Sequence, residues 1–193
     1  MPERLKIFLG CALMFLAASL SEAREKRVGL FNSPKGFGIS LQMDNTNADE
    51  IRCFNVYADT YGLLSYRTYD VGLCASYTHN YILGVYDYDY MRLSLYGGAG
   101  ILGGYVHDYE AGFFSKDADG RMLEKQMGVS LCLDCNAGLG MDFDRGITID
   151  LSISLCPGVI IRKDRDTGAA LISLYKLGLI NALMPQLCLY YRF

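Results

Sequence analysis

Five charged side chains share one face of the alternating segments in this 193-residue chain, the face that otherwise carries Gly, Ser, Thr, Cys and Asn: Arg92, Asp134, Asp142, Asp150 and Arg192. A charge removed from water must find a partner or ordered solvent. Arg92 and Asp134 fall on neighbouring segments, as do Asp134 and Asp150, so we expect these pairs to lie close together. The set predicts a charge network in an enclosed lumen, which either holds the interior shut or lines a constricted path for ions or solutes.

A small set of residues has the side chains that hydrolysis requires. The chain has two histidines, and one of them, His107, precedes Asp108. With Ser94 or Ser115 these residues have the composition of a hydrolytic triad, but nothing in their spacing brings them together. The segment 116–120 resembles part of a calcium loop and lacks the remaining ligands. We therefore expect no enzyme activity, no metal and no cofactor.

Six cysteines follow the first 23 residues: Cys53, Cys74, Cys132, Cys135, Cys156 and Cys188. All of them lie inside alternating segments, where Cys serves as a small apolar side chain. Cys132 and Cys135 have the spacing of a redox or metal motif. An offset of three in a strand, however, points two side chains to opposite faces. We therefore expect neither a redox site nor a zinc site at this pair.

The N-terminal segment has the pattern of an export signal. Two basic residues precede the apolar stretch 7–20, and Ser21 and Ala23 are the small residues that a signal peptidase reads. Cleavage is expected after Ala23, which makes 1–23 a signal peptide and 24–193 the mature domain. No later apolar stretch is long enough to cross a bilayer as a helix.

Alternation with a period of two runs through most of the mature chain, and helical periodicity is absent from it. The clearest example is 147–155, in which Ile and Leu alternate with Thr, Asp and Ser. The turn-forming segment 142–146 joins it to 129–141, which predicts a hairpin. Eight strands are predicted in total: 37–43, 53–58, 71–78, 91–101, 129–141, 147–155, 170–175 and 187–193. The fold class is therefore all-β, an eight-stranded antiparallel up-and-down β-barrel.

Alternation leaves open which face of the barrel lies outside. A soluble barrel encloses its apolar face, whereas a membrane barrel shows that face to lipid. The polar face here consists mostly of small residues and isolated charges, which suits a narrow lumen. Aromatic residues also gather at strand ends, as in an aromatic girdle: Tyr61, Tyr66, Tyr69, Tyr86, Tyr88, Tyr90, Tyr105, Tyr109, Tyr190, Tyr191 and Phe193. Both features favour a transmembrane barrel.

The export signal, the eight alternating strands and the closing segment 187–193 together resemble the small outer-membrane β-barrel proteins of Gram-negative bacteria, the outer-membrane protein A and X type of the porin-like superfamily. The resemblance implies an outer-membrane location and contact with outer-membrane lipid and lipopolysaccharide. It also implies recognition by the barrel assembly machinery, which reads a terminal Phe preceded by alternating apolar residues. The residues that match this assembly signal are Leu187, Leu189, Tyr191 and Phe193.

The function expected from these features is that of a non-enzymatic outer-membrane barrel, with a structural or interaction role or as a narrow pore. Two alternatives remain open: a lipid-modifying outer-membrane enzyme, and a soluble exported barrel that binds an apolar ligand. Nucleic acid is not an expected partner, because the net charge is −3 and the basic residues form no stripe.

The predicted connections fit this orientation poorly. With an even number of strands and both termini in the periplasm, 44–49 and 142–146 would face outward, yet both are short. The long connection 108–124 would be periplasmic. Known outer-membrane barrels have the opposite pattern, so the strand count or the loops must be unusual.

Overall fold

The computed structural model describes residues 25–45, 49–60, 71–109, 125–143, 145–163, 168–175 and 183–193. These residues form ten β-strands: β1 (Glu25–Ser33), β2 (Gly36–Asn45), β3 (Glu50–Asp59), β4 (Gly72–Asp87), β5 (Met91–Tyr109), β6 (Lys125–Phe143), β7 (Ile147–Leu155), β8 (Gly158–Lys163), β9 (Ala170–Tyr175) and β10 (Leu183–Arg192). Within the described residues, no helix is long and apolar enough to cross a membrane.

The ten strands form one closed antiparallel sheet. The order is β5-β4-β3-β2-β1-β10-β7-β6, and β5 also pairs with β6, which closes the ring. Strand β8 continues β7 beyond Pro157, because both pair with β6. Strand β9 pairs with β8 and β10 pairs with β7, so these two also belong to one barrel strand. The protein is therefore an eight-stranded all-β barrel, as the sequence predicted.

The predicted number of strands is right, but two errors cancel in it. Strand β1 was not predicted; its charged start at Glu25 directly follows the predicted cleavage site. The segments 170–175 and 187–193 were counted as two strands, whereas β9 and β10 are parts of a single barrel strand. The pattern of alternation is local, so it cannot tell an interruption within a strand from a turn between strands.

Strand β1 resolves the difficulty with the connections. The first residue of β1 and the last of β10 lie at one end of the barrel, which we call the turn end, together with the short connections 46–49, 88–90 and 144–146. The opposite end, the loop end, carries the connections 34–35, 60–71, 110–124 and 164–169. The earlier assignment of sides was wrong, since one additional strand at the start exchanges the two ends.

Apolar side chains cover the outside of the barrel. Residues that are inward in the register, such as Ser40, Asn80 and Ser154, are fully buried, whereas their neighbours Ile39 and Ile153 are exposed. Exposed apolar residues occur on every barrel strand, for example Leu30, Ile39, Val56, Leu73, Ile101, Leu133, Ile153 and Leu187. The apolar face is therefore the outer one, which is the reverse of the arrangement expected for a soluble barrel with an apolar interior ligand site.

The interior is closed towards the loop end by a cluster of apolar side chains, which we call the apolar plug: Phe31, Tyr57, Cys74, Leu102, Val106, Cys132, Cys156, Ile160, Met184, Cys188 and Tyr190. The rings of Phe31 and Tyr57 stack with centroids 4.7 Å apart. An eight-stranded barrel is just wide enough for side chains to fill. These residues therefore leave the loop-end half of the lumen packed.

Candidate functional site

The turn end of the lumen opens into a cavity of about 300 Å³, which we call the vestibule. Its walls carry more acidic than basic side chains: Glu25, Asp44, Asp49, Glu50, Asp87, Asp142 and Asp150 against Arg27, Arg92 and Arg192. These groups come from all eight barrel strands, because one end of every strand lies at the vestibule. The vestibule is thus a polar, net negative recess.

Arg27 is the centre of the charges in the vestibule. Its guanidinium lies 2.8 Å from Asp44 Oδ2 and 2.8 Å from Asp142 Oδ1, and Glu25 Oε2 is 3.4 Å away. The Thr148 hydroxyl also donates a hydrogen bond to Asp142 Oδ1. The Arg27 side chain is only 7% exposed, so this guanidinium is bound by carboxylates on three strands. The cluster ties β1, β2 and β6 together inside the barrel.

The predicted charge network does not exist as one unit. All five of its residues occupy inward positions, but Arg92 lies opposite Asp142, and Asp134 lies opposite Gly100, eight residues further along β5. Arg92 instead lies 3.6 Å from Asp87 at the rim, and Arg192 lies 3.5 Å from Glu25. Asp134 and Asp150 are separated in the same way, since Asp150 is opposite Gly140. The prediction that the members of each pair lie on neighbouring strands was right, but the strand register places them at different levels of the barrel.

Sequence reasoning missed Arg27, the residue that binds three of the vestibule acids. It belongs to the unpredicted strand β1, where inward Arg27 and Phe31 alternate with outward Val28 and Leu30. That short alternation was a usable signal, hidden by its position directly after the predicted cleavage site.

Tyr96 forms the inner wall of the vestibule. Its hydroxyl lies 2.8 Å from Asp150 Oδ1 and 2.9 Å from Oδ2, and donates to that carboxylate. The Tyr96 side chain lies across Gly138, where an added Cβ would be 2.3 Å from the hydroxyl oxygen. Gly138 is therefore needed for the ring to cross the lumen. The Tyr96–Asp150 contact separates the vestibule from the interior beyond it.

Polar side chains fill the middle of the barrel and bind one another. Ser40 donates to Asn55 and lies 2.7 Å from the Tyr190 hydroxyl, and Asn55 Nδ2 donates to Ser76 over 3.1 Å. On the other side, Gln186 Nε2 donates to Ser154 over 2.8 Å. Such bonds between side chains of different strands satisfy groups that water cannot reach. They also reduce the space available for a path through the lumen.

Asp134 lies deeper than the vestibule and is 1% exposed. The Cys156 thiol donates to its Oδ1 over 3.7 Å. Two residues along β6, Asn136 lies opposite Gly98, and Gly98 lies opposite Asn80 on β4. Asp134, Asn136 and Asn80 are therefore inward neighbours around two glycines of β5.

The cysteines lie as their alternation predicted. Five of the six described thiols are inward and buried, and Cys135 is exposed on the outer face, opposite in direction to Cys132. All six are free thiols. The spacing of Cys132 and Cys135 therefore gives no shared site.

The residues considered for hydrolysis do not assemble around Ser94. His107 and Ser94 are both on β5, 13 residues apart, which in an extended strand is about 40 Å. Ser115 and the side chains of His107 and Asp108 lie outside the described part of the chain, as does segment 116–120. The described histidine, His79, faces outward, 3.4 Å from Glu50.

The closing segment faces outward as its alternation predicted. Leu187, Leu189, Tyr191 and Phe193 are exposed on the outer face. Tyr190, which was grouped with the aromatic girdle, instead faces inward and is 3% exposed. Exposed tyrosines at the turn end, Tyr86, Tyr88 and Tyr90, fit a girdle; Tyr61, Tyr66, Tyr69 and the Tyr109 side chain lie outside the described residues.

Comparison with known proteins gives one similarity in fold. No family model matches the sequence, and no curated protein matches it. The chain is similar to the outer membrane protein Ail of Yersinia pestis, whose backbone structure was determined in a phospholipid bilayer nanodisc. The match covers 88% of this chain and 99% of that chain, with 16% identical residues and a TM-score of 0.36. A similarity this low says nothing about function, so the fold and the site rest on the strands and side chains described above.

Proposed function

We propose that this protein is an outer-membrane β-barrel of the outer-membrane protein A and X type, with a closed lumen and a non-enzymatic structural or interaction role. The observation that carries the proposal is the outer surface. A continuous set of exposed apolar side chains surrounds the barrel, while Ser, Asn, Gln and Asp side chains are buried inside. This inversion is unfavourable in water and favourable in a bilayer, where lipid covers the apolar face.

The two ends of the barrel support an orientation with the turn end in the periplasm. Outer-membrane barrels have short periplasmic turns and longer extracellular loops. The turn end has short connections such as 88–90, and the loop end has the long connections 60–71 and 110–124. In this orientation the loop-end connections face the outside of the cell, where they are available to an external partner. The outer leaflet around them would be lipopolysaccharide.

The packed interior favours an anchor or display function over a pore. The apolar plug fills the loop-end half, and the Tyr96–Asp150 contact crosses the lumen at the vestibule. Conduction requires a continuous polar path. Planar-bilayer recordings should therefore give no steady conductance, and a stable open channel with the unmodified chain would favour the narrow-pore alternative.

The membrane location is tested by fractionation. Expressed with 1–23 in a Gram-negative host, the chain should sediment with the outer membrane, resist carbonate extraction and migrate differently on gels when unheated and when boiled. An untagged soluble periplasmic protein serves as the fractionation control. A folded, soluble periplasmic pool would rule out the proposal.

The assembly signal is a separate part of the proposal. Tyr191 on β10 and Phe193, directly after that strand, are exposed on the outside in phase, in the arrangement that the barrel assembly machinery recognises in the resembling proteins. Phe193→Ser should lower the folded level in cells at least several-fold, with Phe193→Tyr as the matched control. Both variants should refold equally in detergent. If Phe193→Ser leaves the folded level in cells unchanged, Phe193 is not part of an assembly signal.

A further inference from the structure

Three buried oxygen atoms in the middle of the lumen lack a hydrogen-bond donor. They are Asn80 Oδ1, Asp134 Oδ2 and Asn136 Oδ1, and no donor of the described residues reaches any of them. The three residues are 0%, 1% and 9% exposed respectively. Buried acceptors are nearly always satisfied, and each exception calls for a bound group or another explanation. Buried polar atoms without a hydrogen-bond partner also occur elsewhere among the described residues, for example Gln42 Oε1, but these three belong to neighbouring inward residues and all are acceptors.

The strand register makes the three residues inward neighbours on β4 and β6. Asn80 and Asn136 lie on either side of Gly98, so their backbones are about 10 Å apart across one intervening strand. Asn80 Oδ1 lies 2.5 Å from where a Cβ of Gly98 would stand, and therefore projects over that glycine towards β6. Asp134 lies beside Asn136 on the same face, opposite Gly100. A Cβ at either glycine would collide with the β4 backbone, at His79 O and Tyr77 O, so glycine lets β4 and its Asn80 side chain lie this close to β5.

Asn80 contacts its neighbours through its amide nitrogen. Its Nδ2 donates to Thr78 Oγ1 over 3.3 Å and lies 3.8 Å from Cys53 Sγ. In this orientation the amide oxygen lies on the side of Gly98, and the Thr78 hydroxyl adds another oxygen at the edge of the group.

The group carries the negative charge of Asp134, which has hydrogen bonds with Ser154 and Cys156 but no cationic side chain beside it among the described residues. No ion pair among the described residues includes Asp134. A carboxylate buried without a counter-ion is strongly unfavourable. Carboxylate and amide oxygens are the ligands that hard cations prefer. With one carboxylate, a monovalent ion leaves the site neutral, whereas a divalent ion leaves a buried positive charge.

We propose that Asp134, Asn80 and Asn136 bind one alkali metal cation inside the barrel. The site lies on the inner side of the Tyr96–Asp150 contact, since Asn136 lies two residues beyond Gly138, over which Tyr96 lies. The apolar plug closes the other side, so the ion binds and does not pass through. The proposal does not depend on the membrane location, because it rests on the lumen alone.

The test is the thermal stability of the folded chain in detergent micelles, read from the gel shift between folded and unfolded forms. NaCl and KCl are compared with choline chloride at equal ionic strength, since choline is too large for the site. Saturating Na⁺ or K⁺ should raise the Tm by about 5 °C or more. Equal Tm values in all three salts would overturn the proposal, and so would stabilisation by CaCl₂ alone.

Matched variants locate the effect. Asp134→Asn should abolish the difference in Tm between NaCl and choline chloride, and Asn136→Leu should weaken Na⁺ affinity at least tenfold. Asp150→Asn, an inward carboxylate on the vestibule side, should retain the difference. If Asp134→Asn does not fold, broadening of the ²³Na resonance by the unmodified barrel, reduced in Asn136→Leu, gives the same answer.

A protonated Asp134 is the competing explanation, because its O–H would donate to one of the two amide oxygens. Infrared spectra distinguish the two. One result would show a proton in place of the ion. It is a protonated carboxyl band in Na⁺ buffer at neutral pH that disappears in Asp134→Asn, together with Tm values that do not depend on the cation. A carboxylate band that shifts between Na⁺ and choline buffers supports the bound cation.

Discussion

The Tyr96 hydroxyl binds both carboxylate oxygens of Asp150, at 2.8 and 2.9 Å, across the inside of the barrel. The two residues lie on β5 and β7, which are separated by β6, so the contact spans a strand whose local residue is Gly138. The contact therefore joins two strands that are not neighbours across the lumen. The ring closes the vestibule only because β6 has no side chain where the ring crosses it.

Tyr96→Phe should destabilise the barrel, because it leaves the buried Asp150 carboxylate without this donor. A hydrogen bond to a charged group contributes about 1.5–3 kcal/mol, and we expect a loss in that range. The free energy of unfolding in urea, measured by tyrosine fluorescence or by gel shift, gives the value. Tyrosine is the fluorophore because the chain has no tryptophan. Tyr190→Phe, whose hydroxyl binds the neutral Ser40, should cost less. A Tyr96→Phe barrel as stable as the unmodified one would mean that the contact adds nothing.

Two glycines on β6 provide a matched test of how the Tyr96 ring crosses this strand. A Cβ at Gly138 would lie 2.3 Å from the Tyr96 hydroxyl oxygen and 2.8 Å from Ser152 Cβ, whereas a Cβ at Gly140 would have its nearest contact at 3.7 Å. Gly138→Ala should therefore cost about 1–3 kcal/mol through overpacking, and Gly140→Ala should be close to neutral. Urea unfolding of both variants checks this. Equal effects at the two positions would show that Tyr96 moves aside freely.

The comparison of sequence and structure shows what a local pattern can and cannot give. Alternation predicted the barrel, the outward direction of Leu133 and Ile153, and the opposite directions of Cys132 and Cys135. It did not give register, which depends on pairing between distant segments, so the predicted proximity of Arg92 and Asp134 was wrong. A single unpredicted strand, β1, reversed the two ends of the barrel and concealed Arg27.

Arg27→Met should be strongly destabilising, since it leaves Asp44 and Asp142 facing each other without a shared cation. Removing one partner of a buried ion pair costs about 3–5 kcal/mol, and the partial exposure of both acids, 15% and 23%, reduces the expected loss to about 2–3 kcal/mol. Arg92→Met is the control, because Arg92 is 50% exposed and pairs with an exposed Asp87. Its effect should stay within about 0.5 kcal/mol. A cost for Arg92→Met equal to that for Arg27→Met would contradict the central place of Arg27.

The outer surface gives the last prediction, which separates a lipid-facing barrel from a water-facing one. Leu133 lies near the middle of β6 and is exposed on the outside, and Tyr191 is exposed near the end of β10. In a bilayer, Leu133→Arg should cost about 2–4 kcal/mol, because the midplane excludes charge, while Tyr191→Arg near the interface should cost about 0–1 kcal/mol. Folding into liposomes, monitored by gel shift under urea titration, measures both. In a barrel that folds in water, Leu133→Arg would be neutral or stabilising, so the sign of this one substitution decides which solvent the apolar face meets.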